Sequence, residues 1–151
     1  MNQTNGNLRP FESMPAWIEL ARPFLNGMQP VAETAFGTVI CTDASGMAWL
    51  FWPSELRLEE MGVSWEEMLE TVTSDPSLML DQELYEAAIA HLGVPTDTQH
   101  LSWKVPPEAG GELDVANLEI IAAADDLERQ IAWGRELSNI PAGTKLKVDF
   151  R

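Results

Sequence analysis

The strongest constraint on this fold is a pair of apolar and β-branched runs separated by a short turn. Residues 36–42 and 47–52 flank Asp43-Ala44-Ser45-Gly46, and such runs around a glycine-containing turn predict a β-hairpin. The second run contains Ala-Trp-Leu-Phe-Trp, so it is apolar on both faces of a strand. Because both faces then need cover, we expect the hairpin to lie inside the domain, with helices or further strands packed on it.

The segments before the hairpin predict a lead-in and one short helix. Residues 1–7 are polar, and residues 1–9 are predicted to form a flexible lead-in. Ser13 as N-cap and apolar residues at helical spacing indicate a short helix with Trp17 packed on the hairpin. Pro23 should stop or kink this helix, and Asn26-Gly27 with Pro30 ends it. Residues 29–35 are interpreted as a connection.

Two acidic helices are predicted after the hairpin. Ser64 and Glu67 form a capping-box pattern at the start of an amphipathic helix that closes at Asp75-Pro76. Asp81 is placed to cap a second helix, which ends at Gly93. Carboxylates are therefore expected to project from the outward sides of two neighbouring helices.

The rest of the chain adds strands and one more helix. Residues 101–105 and 117–121 predict strands, 127–137 predict a helix, and 145–150 predict a final strand after a turn. Residues 55–61 alternate only partly and fit either an edge strand or a helical turn. The elements add up to an α+β fold: a mostly antiparallel sheet built on a central hairpin, with helices packed against it.

Size and charge limit the possible functions. The 151 residues predict a single domain over residues 1–151, and no apolar window is long enough to span a bilayer. The formal net charge of -15 would repel both nucleic acid and anionic membranes, so we predict neither as a partner. Without a signal-peptide pattern at the start, the protein is predicted to be cytoplasmic. The charge serves either solubility or a basic protein partner.

No motif for catalysis stands out. Cys41 is the single cysteine and is predicted to be a small buried apolar residue. The two histidines are His91, near the end of a helix, and His100, interpreted as a loop residue. An enzyme would need a pocket that joins a histidine to Cys41 or to several acids. We therefore predict no catalytic residues, no cofactor, no metal ligands and no enzymatic activity.

The acidic region is the strongest local charge feature. Arg57 is the only basic residue between Glu55 and Glu86. One interpretation is a solvated face without a partner. The other is a partner-binding surface, for which the predicted residues are Glu59, Glu60, Glu66, Glu67, Glu70, Asp75, Glu83 and Glu86.

Several short motifs occur in order over residues 36–150. They are Phe36-Gly37-Thr38, Asp43-Ala44-Ser45-Gly46, Trp49-Leu50, the acidic helix from Ser64 with Asp75-Pro76 after it, residues 106–111 (Pro-Pro-Glu-Ala-Gly-Gly), Asn117-Leu118-Glu119 and residues 141–144 (Pro-Ala-Gly-Thr). Together they resemble the C-terminal domain family of type VI secretion DNase-immunity proteins, which is linked to GAD-like and other polymorphic-toxin immunity domains. Family members often carry a GAD-like region before the matching part, whereas here about one short predicted helix precedes Phe36.

The resemblance implies an immunity protein that binds and neutralises a cognate secreted toxin, often a nuclease, by occlusion. No active site is needed for that role, and no toxin-contact residue carries over with the motifs. The acidic helices give this role a physical basis. A nuclease that binds phosphates presents a basic groove, and a carboxylate-rich surface can occupy that groove or lie beside it. The alternative is an acidic interaction or adaptor domain, including a DNA-mimic inhibitor of another basic partner.

Overall fold

The protein has an α+β fold, and its main sheet is an antiparallel meander of five strands. A computed structural model describes residues 6–138. The five strands lie in the sheet in chain order: β1 (Leu8–Pro10), β2 (Gln29–Thr34), β3 (Val39–Thr42), β4 (Met47–Trp52) and β5 (Arg57–Ser64). A second antiparallel sheet pairs β6 (Gln99–Trp103) with β7 (Leu118–Ala122). The predicted fold class is confirmed.

Helices cover these sheets. The α-helices are α1 (Trp65–Ser74), α2 (Gln82–Leu92) and α3 (Ala123–Ser138). Short 3-10 helices occur at Ala16–Leu20, Arg22–Phe24, Pro76–Leu78, Pro107–Ala109 and Val115–Asn117.

The central hairpin is formed by β3 and β4, and both of its faces are covered, as predicted. Val39 and Phe51 pack with residues of α3 and of the first 3-10 helix. Ile40 and Leu50 point to the other face and pack against Val72 of α1. The main sheet is therefore the middle layer between α3 on one side and α1 on the other, while α2 packs with the small sheet.

One carboxylate organises the hairpin turn. The Asp43 Oδ1 atom accepts hydrogen bonds from the backbone N–H of Ser45 and of Met47, and its Oδ2 atom accepts one from the Trp49 indole at 3.0 Å. The indole bond, followed by the bond from the Ser45 hydroxyl, lowers the pKa of Asp43 to about 2. Gly46 completes the turn with a φ of 84°, which a glycine adopts without strain.

The main errors of the sequence analysis fall before the hairpin. The prediction of a flexible lead-in over residues 1–9 is wrong for its last two residues, because Leu8–Pro10 form β1, which pairs with β2. The predicted connection 29–35 is mostly β2, whose Glu33 and Thr34 are buried polar residues that hid the strand pattern. The predicted short helix is two 3-10 helices, since Pro23 lacks the N–H that would continue an α-helix.

Most predictions after the hairpin are confirmed. The Ser64 side chain caps α1 by accepting a hydrogen bond from the Glu67 N–H at 3.0 Å. Residues 55–61 contribute to β5, an edge strand. Asp81 precedes α2 but makes no side-chain capping bond, so its predicted capping role is wrong. The predicted final strand 145–150 and the turn before it lie outside the described residues.

Gly37 and Gly46 offer a matched pair of substitutions. Both have positive φ angles, 88° and 84°, so alanine at either position should cost about 1–2 kcal/mol in backbone strain. A Cβ atom at Gly37 would also lie 2.8 Å from Asp126 Oδ2 and 2.9 Å from Gln130 Nε2, whereas nothing lies within 4 Å at Gly46. We expect Gly37→Ala to lower the free energy of unfolding by ~1–3 kcal/mol more than Gly46→Ala does. Urea unfolding of both variants measures this, and equal losses would contradict it.

Candidate interaction surface

His100 lies in β6, not in a loop as predicted, and it joins two acids from distant parts of the chain. Its Nε2 atom is 3.0 Å from Glu33 Oε1 in β2, and its Nδ1 atom is 2.7 Å from Asp126 Oδ2 in α3. The three side chains are 0%, 2% and 0% exposed, respectively. No sequence pattern indicated this cluster, because its members are far apart in the chain.

The cluster is balanced in charge. Each imidazole nitrogen faces a carboxylate oxygen, which requires both nitrogens to carry a hydrogen. Burial lowers the pKa of His100, but the hydrogen bonds with Asp126 and Glu33 outweigh it and raise the pKa to about 9. The second carboxylate oxygen of Glu33 lies 3.2 Å from the Arg9 guanidinium. Two cations therefore compensate two buried carboxylates.

Further hydrogen bonds tie the cluster to its surroundings. The Trp17 indole N–H donates to Glu33 Oε1 at 2.9 Å, and the Gln130 amide donates to Asp126 Oδ2 at 2.9 Å. Trp17 also meets the His100 ring edge-on, with 6.0 Å between the ring centroids. The network therefore joins both sheets, α3 and the first 3-10 helix.

The chemistry available to this cluster is limited by its burial. A general acid or base must reach a proton on its substrate, and His100, Glu33 and Asp126 are sealed from solvent. Cys41 lies in a separate apolar cluster, as predicted, and burial raises the pKa of its thiol to about 12. His91 is exposed in α2. Within residues 6–138, no three His, Cys, Asp or Glu side chains are placed to hold a metal ion. The cluster is therefore suited to holding elements together.

All members of the predicted partner-binding set are exposed. Glu66, Glu67 and Glu70, called the α1 carboxylates below, lie on α1, and the remaining members lie on β5, on α2 and between the two helices. No ion pair links an α1 carboxylate to a cation in the described part of the chain. The α1 carboxylates thus present uncompensated charge.

The two predicted contact residues on β5 lie on opposite faces of the main sheet. Glu59 pairs with Leu50 across the strands and lies on the α1 side of the sheet, so the next residue, Glu60, lies on the α3 side. Glu59 also accepts from the Trp52 indole and pairs with Arg57. The carboxylates on β5 are therefore divided between the two faces of the sheet.

Two more of these residues have local partners. Asp75 accepts hydrogen bonds from the backbone N–H and the hydroxyl of Ser77, which caps a 3-10 helix. Glu86 accepts one from the Gln82 amide. Glu83 and Glu86 lie on α2, which packs on a different apolar cluster from α1. The predicted contact set remains a prediction, and its densest uncompensated part is on α1.

An apolar groove beside the α1 carboxylates was missed by the sequence analysis. It is a cavity of about 240 Å³ between β5, α1 and the 3-10 helix Pro76–Leu78, and its lining includes Leu50, Met61, Met68, Val72, Leu78 and Met79. Glu67 and Thr71 of α1 also line it. We call it the methionine groove. The available signal was Met61, an apolar residue that directly follows Glu59 and Glu60 in β5.

Comparisons with known proteins show the fold alone. No protein-family model and no curated protein matches this chain. Among solved structures, the fold is similar to the crystal structure of Atu4351 from Agrobacterium tumefaciens, with a TM-score of 0.61 and 14% sequence identity. The match covers 83% of this chain and 66% of that one.

None of the helices in residues 6–138 is both long and apolar enough to cross a bilayer.

Removal of His100 is expected to destabilise the fold strongly. The variant His100→Ala leaves Glu33 and Asp126 buried without their shared cation, and breaking such a buried pair costs about 3–5 kcal/mol. His91→Ala is the matched control, because His91 is exposed and its loss should change stability by no more than ~0.5 kcal/mol. Urea unfolding at neutral pH measures both, and similar stabilities would contradict a cohesive role for the cluster.

The His100 cluster should also make stability depend on pH. The pKa of His100 is raised from 6.5 to about 9, so its stabilisation is complete below pH 6.5 and is lost as the pH rises through about 9. We expect the stability difference between wild type and His100→Ala to shrink by a few kcal/mol over this range. The subtraction removes the titration of groups that do not contact His100, and a difference that stays constant to about pH 10 would contradict the assignment.

Proposed function

We propose that this protein is a non-enzymatic immunity protein that binds a secreted bacterial toxin with a basic surface and neutralises it by occlusion. A nuclease is the favoured toxin class, and the cytoplasm is the proposed site of action. The observation that supports the proposal is the exposed, uncompensated row of α1 carboxylates on a chain with a net charge of -15. The motifs that resemble DNase-immunity proteins supply the biological context.

The physical basis is electrostatic complementarity. A nuclease attracts phosphates with lysine and arginine side chains, so its groove also attracts carboxylates. Complementary charge speeds encounter and disfavours wrong partners, while apolar contacts at the centre of the interface supply most of the affinity. The α1 carboxylates fit the first role because they are exposed and lie on one rigid helix.

The direct test is co-purification with the product of the adjacent gene, followed by a nuclease assay with and without this protein. Stoichiometric binding that abolishes nuclease activity supports the proposal. Binding that leaves the nuclease active would favour the adaptor alternative. An adjacent gene that encodes phage structural or defence proteins would favour the DNA-mimic alternative.

Charge reversal on α1 should slow association with the toxin. We expect the triple variant Glu66→Lys, Glu67→Lys, Glu70→Lys to lower the association rate constant by about tenfold or more at low salt. The effect should shrink at about 0.5 M salt, where charges are screened. Surface plasmon resonance at both salt concentrations measures it, and Glu83→Lys with Glu86→Lys tests the α2 contribution separately.

The matched control is a triple reversal on α3. Asp125, Glu128 and Glu136 are exposed, carry the same total charge and lie on the helix that covers the opposite face of the sheet. If the α3 reversal slowed association as much as the α1 reversal, net charge rather than the α1 surface would govern binding.

A further inference from the structure

We propose that the methionine groove is the docking site for one apolar side chain of a positively charged protein partner, with lysine or arginine residues on either side of that side chain. This inference rests on the proposed function and locates the apolar centre of its interface.

The groove is built for an apolar side chain. Three parts of the chain each contribute one methionine to the lining. These residues are Met61 from β5, Met68 from α1 and Met79, which directly follows the 3-10 helix Pro76–Leu78. Methionine is unbranched and polarisable, so a methionine-lined surface adapts to different apolar side chains. The cavity of about 240 Å³ is smaller than most sites for whole small molecules, which begin at roughly 300 Å³. Its size therefore favours a single anchoring side chain.

The groove is open along the edge of the main sheet. β5 is the last strand of the sheet, and Met61 on it is 37% exposed. Leu78 of the 3-10 helix also lines the groove and is 61% exposed. Covering such side chains with the apolar surface of a partner removes them from water, which favours binding. Exposed apolar side chains around a cavity with polar neighbours are typical of protein interaction sites.

Charge determines which partner fits. Glu67 lines the groove, the other α1 carboxylates are on the same helix, and Glu59 lies on the same face of the sheet as Leu50. A second copy of this chain would bring a further net charge of -15 to this acidic rim, which opposes self-association. An apolar side chain flanked by cations matches both the lining and the rim.

The groove can be probed without knowledge of the natural partner. The probe is the synthetic peptide Lys-Arg-Leu-Phe-Lys-Arg, and the readout is the NMR signals of the methionine methyl groups. We expect the methyl groups of Met61, Met68 and Met79 to shift, while that of Met14 stays in place. Met14 is the internal control, because it is 37% exposed, like Met61, but lies outside this groove.

Two control peptides separate the contributions of charge and apolar contact. Glu-Asp-Leu-Phe-Glu-Asp keeps the apolar centre with reversed charge, and Lys-Arg-Ser-Ser-Lys-Arg keeps the charge without the apolar centre. Shifts confined to the groove and to the first peptide support the proposal. No shifts, equal shifts at Met14, or equal shifts with a control peptide would overturn it. Shifts that appear on concentrating the protein alone would assign the groove to a second copy and also overturn it.

A groove-filling variant tests the same site against the toxin. Thr71 is exposed and lines the groove, so Thr71→Trp should occupy it and weaken binding by about tenfold or more. Thr73→Trp is the control, because Thr73 is exposed on the same helix but does not line the groove. Circular dichroism checks that both variants fold.

The outcomes of this test distinguish the two proposals. If the toxin binds wild type and Thr71→Trp equally well, the groove assignment fails while the immunity function stands. If wild type binds no toxin, the immunity function fails, and the peptide experiment still decides whether the groove accepts a cationic apolar segment.

Discussion

The buried ion cluster of His100, Glu33 and Asp126 is the interaction on which the rest of this fold depends. It joins β2 of the main sheet, β6 of the small sheet and α3, which are remote in the chain. Burying such charges costs several kcal/mol for each ion unless every one is paired. Here Arg9 supplies the second cation and Gln130 a further donor. Moving any one of these elements away would leave a buried charge unpaired, and this penalty opposes other docking geometries of the small sheet and α3.

Helices cover both faces of the main sheet. α3 and the first 3-10 helix cover one face, and α1 covers the other. The edge strand β5 carries charged residues and is irregular in register, two features that discourage pairing with other edges. The same edge leaves the methionine groove open beside the α1 carboxylates. The surface proposed for binding therefore lies at the edge of the main sheet, where no further strand or helix in residues 6–138 covers the groove between β5 and α1.

Fold and function rest on different observations in this protein. The similarity to Atu4351 from Agrobacterium tumefaciens concerns the path of the chain, and at 14% identity it carries no information about the residues on the surface. The immunity proposal rests instead on charge, on short motifs and on the groove. A rigid acidic helix next to an apolar cavity combines fast encounter with a point of anchorage, the two properties that an occluding inhibitor needs.

The sequence by itself determined the features that depend on near neighbours: the Asp43–Gly46 hairpin, the capped start of α1 at Ser64 and the antiparallel α+β class. Alternation, capping and turn chemistry act within a few residues, so one sequence is enough to read them. Only the tertiary structure decided that Glu33 and His100, 67 residues apart, share a hydrogen bond, and that Glu59 and Glu60 face opposite sides of the sheet. It also brought Met61, Met68 and Met79 together. Contacts of this kind depend on how whole elements pack, and no local pattern of residues records that packing.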